Sequence, residues 1–321
     1  MHKFFSLSLL GYFLLNSSVA FGGATDDQSS AIISNMQVAQ SSRYYDNYLV
    51  RVTAENIEPL QVSHGVVNGT ETTLMKSLNG LLTGVINIDS KIIYFEGNRH
   101  FYSAGDAVFP NLFLRLISSN ADDITSCFDI VSLGQGRIAD LMVEVVKLVP
   151  RDRMGYSMTL AIDQKSGLLV ELDLSDASGN LVERFMSVNL RISDENPPEL
   201  EQKVRQIGKS PKNDVKVKND SDKLSWTLSE LPPNYRVLRT NRHVVFGTDS
   251  NSEYMLLTND FTDISVYLTR HVTDINIPVI SLNATTIFRK RVSENFDVAV
   301  IGQIPASMAQ EIANRVRLQN L

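Results

Sequence analysis

Residues 128–192 are the most constraining part of this chain, because their apolar residues fall into short runs separated by turns, and in two runs they alternate. Tyr156, Met158, Leu160 and Ile162 alternate with smaller or polar residues, as do Leu168, Val170, Leu172 and Leu174 apart from Leu169. A period of two sends successive side chains to opposite faces, so each run reads as a strand with one buried face and one wet face. The connections Asp163-Gln164-Lys165-Ser166-Gly167 and Asp176-Ala177-Ser178-Gly179-Asn180 are rich in residues that suit tight turns. Runs at 138–149, 156–162, 168–174 and 181–192 therefore predict an antiparallel meander. Such a sheet must cover its apolar face, either with helices of its own or with a guest.

The N-terminus sets the expected compartment. Met1-His2-Lys3 is followed by a mostly apolar run at 4–15 and by the small residues Ser18-Val19-Ala20. This is the pattern of a secretory signal peptide at 1–20, cut after Ala20 and too short to span a bilayer as a permanent helix. No cysteine lies near the cut, so the acceptor of a lipid anchor is missing there. The full chain has 321 residues, 43% hydrophobic and 21% charged, enough for one large or two ordinary domains with real cores. Its net charge of -6 disfavours broad nucleic-acid binding, which needs a basic footprint. Cys127 is the single cysteine, so an exported chain of this kind has no internal disulfide, and a small buried filler is the expected role.

Before the meander, Ile32, Ile33, Met36 and Ala39 recur at helical spacing and predict a helix over 29–42. Strands are expected at 44–53 and 59–67, and a hairpin at 82–88 and 91–95 through Asp89-Ser90; residues 70–78 are ambiguous. Residues 101–109 read as an aromatic-rich turn region, and Pro110 favours a helix start for 112–117. After the meander, 195–223 holds Pro197, Pro198, Pro211 and seven Lys or Arg, a linker composition with room for a short helix at 200–207. A second domain follows from Leu224, with strands near 236–239, 244–246, 254–257, 264–269, 286–292 and 296–301. It closes with a helix that starts at Pro305 and carries Met308, Ile312 and Val316 on one face.

Signals for catalysis are weak. Gly134-Gln135-Gly136-Arg137-Ile138-Ala139 matches a dinucleotide-binding fingerprint in form, but the valine-rich run after it favours a strand, not the required helix. The glycines read better as a hairpin turn between strands at 128–133 and 138–149. The histidines at 2, 64, 100, 243 and 271 show no metal-ligand spacing, and a lone cysteine adds no cluster. Asp122-Asp123 reads as a solvated pair in a loop. No catalytic residue, metal or cofactor is expected.

Several dispersed segments resemble one family. Gly134, Gly136-Arg137-Ile138-Ala139-Asp140, Arg151-Asp152, Asp163, Asp173-Leu174 and the run Gly179, Leu181, Glu183, Phe185 look like the periplasmic anti-sigma cofactors RseB and MucB. Tyr94-Phe95-Glu96 ahead of Phe109-Pro110-Asn111-Leu112 fits as well, as does Leu224-Ser225-Trp226-Thr227 ahead of Leu231-Pro232-Pro233. The resemblance covers nearly the whole chain after the leader and is loosest at 40–90 and 195–223.

It implies an α+β protein with a large N-terminal domain at 21–194, an antiparallel half-open β-barrel-like sheet with helices, as in lipoprotein carriers. A linker at 195–223 and a smaller C-terminal α/β domain at 224–321 complete it. The implied function is that of a soluble periplasmic negative regulator of the sigma-E (AlgU-type) envelope stress factor. It would bind the periplasmic domain of a single-span anti-sigma factor of the RseA/MucA kind and protect it from regulated proteolysis. Lipopolysaccharide or the acyl groups of mislocalised lipoprotein would release it; a homodimer is left open. The alternative is a periplasmic lipid or lipoprotein carrier without a signalling role.

Two groups of residues are candidates for these tasks. Phe95, Phe101, Tyr102, Phe109, Leu112, Phe113 and Leu116 form either an ordinary core or one wall of a lipid-accepting cavity. Arg289, Lys290 and Arg291 form either a solvated strand face or a dock for an acidic partner segment. On a strand Arg289 and Arg291 share a face, so two guanidinium groups could clamp carboxylates or lipid phosphates.

Overall fold

The computed structural model describes residues 26–98, 100–103, 109–208, 213–214, 223–246, 249–271 and 279–319, and the expected leader at 1–20 lies outside them. The helix α1 (Asp26–Ser42) buries Ile33, Met36 and Ala39, the stripe that its spacing predicts. A meander follows in β1 (Tyr44–Thr53), β2 (Ile57–Val67), β3 (Thr70–Ser77), β4 (Thr83–Ile88), β5 (Lys91–Glu96) and β6 (His100–Ser103). Two short helices, α2 (Leu112–Ile117) and α3 (Ala121–Cys127), lead into β7 (Phe128–Ile138), β8 (Leu141–Pro150), β9 (Ser157–Asp163), β10 (Leu169–Ser175) and β11 (Leu181–Ser193). The ambiguous stretch at 70–78 is thus a strand. Asp122 and Asp123 lie not in a loop but in the first turn of α3, where carboxylates complement the helix dipole.

β11 returns to pair with β1, which joins the two halves of the meander into one sheet. After α4 (Pro198–Gly208), the short β12 (Asn213–Asp214) adds in parallel to β6. The sheet order is β12-β6-β5-β4-β3-β2-β1-β11-β10-β9-β8-β7. If it were flat, β5 and β8 would lie about 38 Å apart at ~4.8 Å per strand. Yet Ile92 of β5 and Leu148 of β8 belong to one core with Ile33 of α1, Leu116 of α2 and Ile124 of α3. The sheet therefore curls around its helices into a half-open barrel. On its outer face, Leu200 and Ile207 of α4 pack on Leu74, Ile86, Phe95 and Phe101. Part of the segment expected as a linker is thus docked on the large domain.

The turns show where backbone conformation decides the register. Asn68-Gly69 and Asp89-Ser90 both have positive φ and close two-residue hairpins whose twist matches the strands. The β7–β8 hairpin turns at Ala139-Asp140, with φ of 48° and 68°, not at the glycines that the sequence suggested. Gly134, at φ 95°, is instead where the register shifts within β7, a bulge that only a residue free to adopt this conformation makes cheaply.

The small domain begins with β13 (Trp226–Leu228), β14 (Arg236–Phe246), β15 (Asp249–Thr258), β16 (Asp263–Arg270), β17 (Val279–Leu282), β18 (Thr285–Arg291) and β19 (Phe296–Gly302). It ends with α5 (Ala306–Arg315) and β20 (Val316–Leu318). The order is β14-β15-β16-β19-β18-β17, antiparallel throughout, and β13 pairs with β20. Met308, Ala309, Ile312 and Ala313 of α5 are buried in a core with Trp226, Val266 and Val298. The two strands expected at 236–239 and 244–246 are one strand with register shifts, and Val316 lies just past the helix.

Candidate functional site: two cavities that share a wall

The lipid-wall candidates divide between the two faces of the sheet. Tyr94 pairs with Tyr102 and Phe95 with Phe101 across β5 and β6. Neighbours on a strand point to opposite faces, so the two pairs separate. Phe95 and Phe101, with ring centres 6.3 Å apart, sit under α4 on the outer face. Tyr94 packs against the inner core, and Tyr102 stacks on it at 5.5 Å with the planes 11° apart. Leu112, Phe113 and Leu116 are buried inside on α2, where Asn111 caps the helix by accepting from the Leu114 amide at 2.8 Å. Phe113 stacks on Phe185 of β11 at 5.0 Å.

Inside the half-barrel lies an open cavity of about 220 Å³. Leu60, Met75, Val85, Tyr94, Tyr102 and Pro110 line it, and Phe95 also borders it. Arg51, Glu58, Lys76, Ser77, Thr83, Glu96 and Asn111 line the rest, so its wall is about as polar as it is apolar. Arg51 is held by Glu183, which is fully buried, and its guanidinium lies 5.6 Å from the Phe185 ring centre. Burial pushes the Glu183 carboxyl above its ordinary pKa, and the Arg51 charge opposes this.

A second cavity, of about 280 Å³, opens between the domains. The large domain contributes Tyr94, Phe109, Pro110, Leu112 and Arg115; the small domain contributes Leu256, Phe261, Ile301 and Gln303 among others. The junction around it is specific. Phe128 and Phe261 meet edge to face at 5.1 Å. Gln303 Nε2 donates to the Phe109 carbonyl at 2.8 Å, and the Tyr156 hydroxyl donates to the Ile304 carbonyl at 3.2 Å. Cys127 is buried, and its thiol donates to the Asn259 carbonyl at 3.1 Å, so it bridges the domains as well as filling space. Arg115 lies over the Phe109 ring at 4.9 Å and donates to the Asp260 carbonyl. Arg115 Nε and Gln303 Oε1 are buried without a hydrogen-bond partner among the described residues.

The cationic candidates sit elsewhere in the small domain. Arg289 Nη2 lies 2.6 Å from Asp297 Oδ2, and Arg291 Nε lies 4.0 Å from Asp297 Oδ1. His271 Nδ1 lies 3.0 Å from the same carboxylate, which is nearly buried. Arg289 and Arg291 therefore share a face, as strand geometry requires, but Asp297 already draws on both charges. Lys290 points the other way and binds Asn314 of α5. Asp297 and His271 carry no sequence signal for this cluster, because only the strand pairing brings them to the arginines. Likewise, Arg115 and Gln303 come from distant segments, and no local pattern marks either. Among the described residues no group of three or more His, Cys, Asp or Glu is placed to hold a metal ion. No helix among them is long and apolar enough to cross a membrane.

Residues 28–208 match the MucB/RseB N-terminal domain and residues 220–317 match the MucB/RseB C-terminal domain. The chain belongs to the MucB/RseB family. A relative from Salmonella typhimurium, the sigma-E factor regulatory protein RseB, is 25% identical, with 98% of each chain covered. A second from Pseudomonas aeruginosa, the sigma factor AlgU regulatory protein MucB, is 21% identical, with 95% of each covered. In structure, the chain is similar to the complex of P. aeruginosa MucA and MucB, with a TM-score of 0.69 and 18% identity over 92% of this chain and all of the other. That likeness shows the MucB fold. The second cavity thus lies where the two family domains meet.

Proposed function

We propose that this chain is a periplasmic regulator that binds the periplasmic segment of a membrane anti-sigma factor of the RseA/MucA type. Bound, it shields that factor from regulated proteolysis and so restrains a sigma-E (AlgU-type) envelope stress response. Lipopolysaccharide or mislocalised lipoprotein releases it. The observation that carries the binding role is the apolar cleft between the domains, with Arg115 Nε and Gln303 Oε1 buried and unpaired at its side. Phe109, Leu112, Leu256, Phe261 and Ile301 give the cleft an apolar floor for large side chains, and Arg115 brings a positive charge beside it. The cavity inside the half-barrel supports the lipid-sensing role, since Leu60, Met75 and Val85 on one side suit an acyl chain and Arg51 and Lys76 on the other suit a charged headgroup. Arg289 and Arg291 share their charge with Asp297, so the cleft, not the cationic patch, is the main dock.

The direct test is fluorescence anisotropy, with a labelled periplasmic segment of a MucA-type anti-sigma factor titrated with the mature chain. Saturable binding that added lipopolysaccharide weakens is the expected result, and Arg115→Met should weaken binding by at least about tenfold, the worth of one charge-assisted hydrogen bond. A folded chain that does not bind the segment would sink the regulatory reading. The half-barrel cavity also favours a second reading, a lipid or lipoprotein carrier. Transfer of lipid between vesicles by a chain that ignores the segment would establish it.

A further inference from the structure

We infer that the half-barrel seats its mouth on a phospholipid surface through apolar side chains on the turns that rim it. The inference rests on the lipid-sensing part of the reading above and gives the lipid a point of entry. The β1–β2 turn, the β3–β4 loop and the start of β11 lie at one end of the sheet. The register places them there, with Ile57 opposite Val52, Ser77 opposite Leu60 and Glu183 opposite Thr53. That end carries Ile57, Leu78, Leu81 and Leu181, all exposed with the small domain in place. At 86%, Leu81 is the most exposed large apolar side chain among the described residues, and Ile57 is exposed by 65%. β11, β1, β2, β3 and β4 are consecutive neighbours, so the rim is three to four strand spacings wide, ~14–19 Å.

The β3–β4 loop is built to hold Leu81 outward. Gly80 has a φ of 70°, which lets the chain reverse beside it. Both ends of the loop are tied: the Leu78 amide donates to the Pro59 carbonyl at 2.9 Å, and the Gly97 amide donates to the Leu82 carbonyl at 2.7 Å. Leu82 packs against the core under α4, while its neighbour Leu81 stays in water. An apolar side chain left in water gains nothing from folding, and only something that covers it removes that surface from solvent. The mouth of the half-barrel shows what fits. Glu58, Ser77, Thr83 and Glu96 line the cavity at these same strand ends, so it opens between the apolar tips. Tips on separate turns offer a folded protein no continuous face, whereas a fluid bilayer closes around each one singly. Arg51 and Lys76 at the mouth stand against Glu58 and Glu96, and Lys76 is paired with Glu199 of α4. The mouth therefore has no excess positive charge to draw anionic lipid, and the contact is apolar, suited to zwitterionic phospholipid. An acyl chain leaving that surface reaches Leu60, Met75 and Val85 without crossing water.

The experiment is flotation of the full mature chain with vesicles of palmitoyl-oleoyl phosphatidylcholine. The native chain should float with the vesicles, and its affinity should change by less than about twofold between about 0.05 and 0.5 M salt, a range over which screening removes a surface charge contact. Ile57→Ser combined with Leu81→Ser should weaken flotation about tenfold or more, because both tips lose the apolar surface that the bilayer covers. Neither residue lines a cavity, so the melting point and binding of the anti-sigma segment in solution should stay as in the native chain. Leu81→Trp adds a reporter at the tip, where the native Trp226 is buried. Vesicles should shift its emission to the blue, and brominated lipid should quench it. A native chain that does not float, or a double variant that floats as well as the native chain, would overturn the inference. Either result leaves the segment titration to judge the regulatory reading by itself. Segment binding lost in the double variant, with flotation kept, would assign the tips to the protein partner and overturn the inference as well.

Discussion

Arg51 and Glu183 form an ion pair inside the half-barrel, diagonal neighbours on β1 and β11, with Glu183 fully removed from solvent. The second carboxylate oxygen of Glu183 has no hydrogen-bond partner among the described residues, and Arg51 also reaches Glu58 at 3.5 Å. Removing one partner of a buried pair leaves an uncompensated charge, so Arg51→Met should cost ~3–5 kcal/mol in urea unfolding. Glu183→Gln, which keeps the shape and removes the charge, should cost far less. The pH dependence follows from the raised Glu183 pKa. A carboxyl with a raised pKa binds its proton more tightly in the folded chain. Its ionisation therefore opposes folding increasingly as pH rises from the ordinary carboxylate value through the folded pKa. Melting curves over that window should show a falling contribution in the native chain, steeper in Arg51→Met and absent in Glu183→Gln. Equal slopes in all three would show that Glu183 is not the group responsible.

Most of the strands were legible from the chain, because period-two alternation and turn residues are local signals, but nothing local showed that β11 returns to β1. Residues 156–162 and 168–174 became β9 and β10 with small shifts at their ends. The cavity wall was harder to read. Phe95 and Phe101 carry the same apolar signal as Tyr94 and Tyr102, and only the face on which each lands decides its role. The reading from the chain named Phe95, Phe101 and Tyr102 and passed over Tyr94, whereas Tyr94, Tyr102 and Phe95 all border the inner cavity and Phe101 does not. The cleft was illegible for a different reason. Arg115 and Gln303 are 188 positions apart, and nothing local in either segment tells that the domains meet there.

Gly84 tests how tightly the cavity wall is built. A Cβ placed there would lie 2.4 Å from the Met75 carbonyl oxygen and 2.5 Å from the Phe95 ring. The ring could shift, but the carbonyl is fixed in the β3–β4 ladder. Gly84→Ala should therefore destabilise the chain by ~1–3 kcal/mol, the usual cost of overpacking, and weaken binding of an N-palmitoylated peptide with it. Thermal melting reads the first effect. An unchanged melting point would mean that β4 can move away without loss.

Phe261 belongs to the small domain in sequence but packs in the core of the large one, edge to face with Phe128. It is 2% exposed. Phe261→Ala should cost ~3–5 kcal/mol, because it leaves a cavity at the junction. The more telling readout is cooperativity. If this ring couples the domains, their unfolding should separate into two transitions in urea, where the native chain should show one. Segment binding should fall in parallel, since Phe261 also lines the cleft. A single transition with segment binding kept would assign the coupling to the hydrogen bonds of Gln303 and Tyr156 instead.

α4 turns part of the charge-rich stretch after the meander into a strap on the outer face of the sheet. Leu200 is fully buried, and the Lys76 ammonium lies 2.6 Å from the Glu199 carboxylate. Lys203, one turn on, is buried with its ammonium 4.1 Å from the Phe95 ring centre. Burial lowers its pKa, with Glu199 opposing and the ring offsetting part of the desolvation. A lysine with a lowered pKa holds its proton less tightly in the folded chain. Its contribution to stability thus rises as pH climbs through the folded pKa toward the ordinary lysine value. Lys203→Met should remove that rise and leave the helix docked. Leu200→Ala should cost ~2–5 kcal/mol and loosen the strap. Trypsin should then cut at Lys203 and Arg205 faster than in the native chain, before the sheet unfolds. If cleavage there kept pace with global unfolding in both chains, α4 would be an inseparable part of the large domain and not a detachable strap.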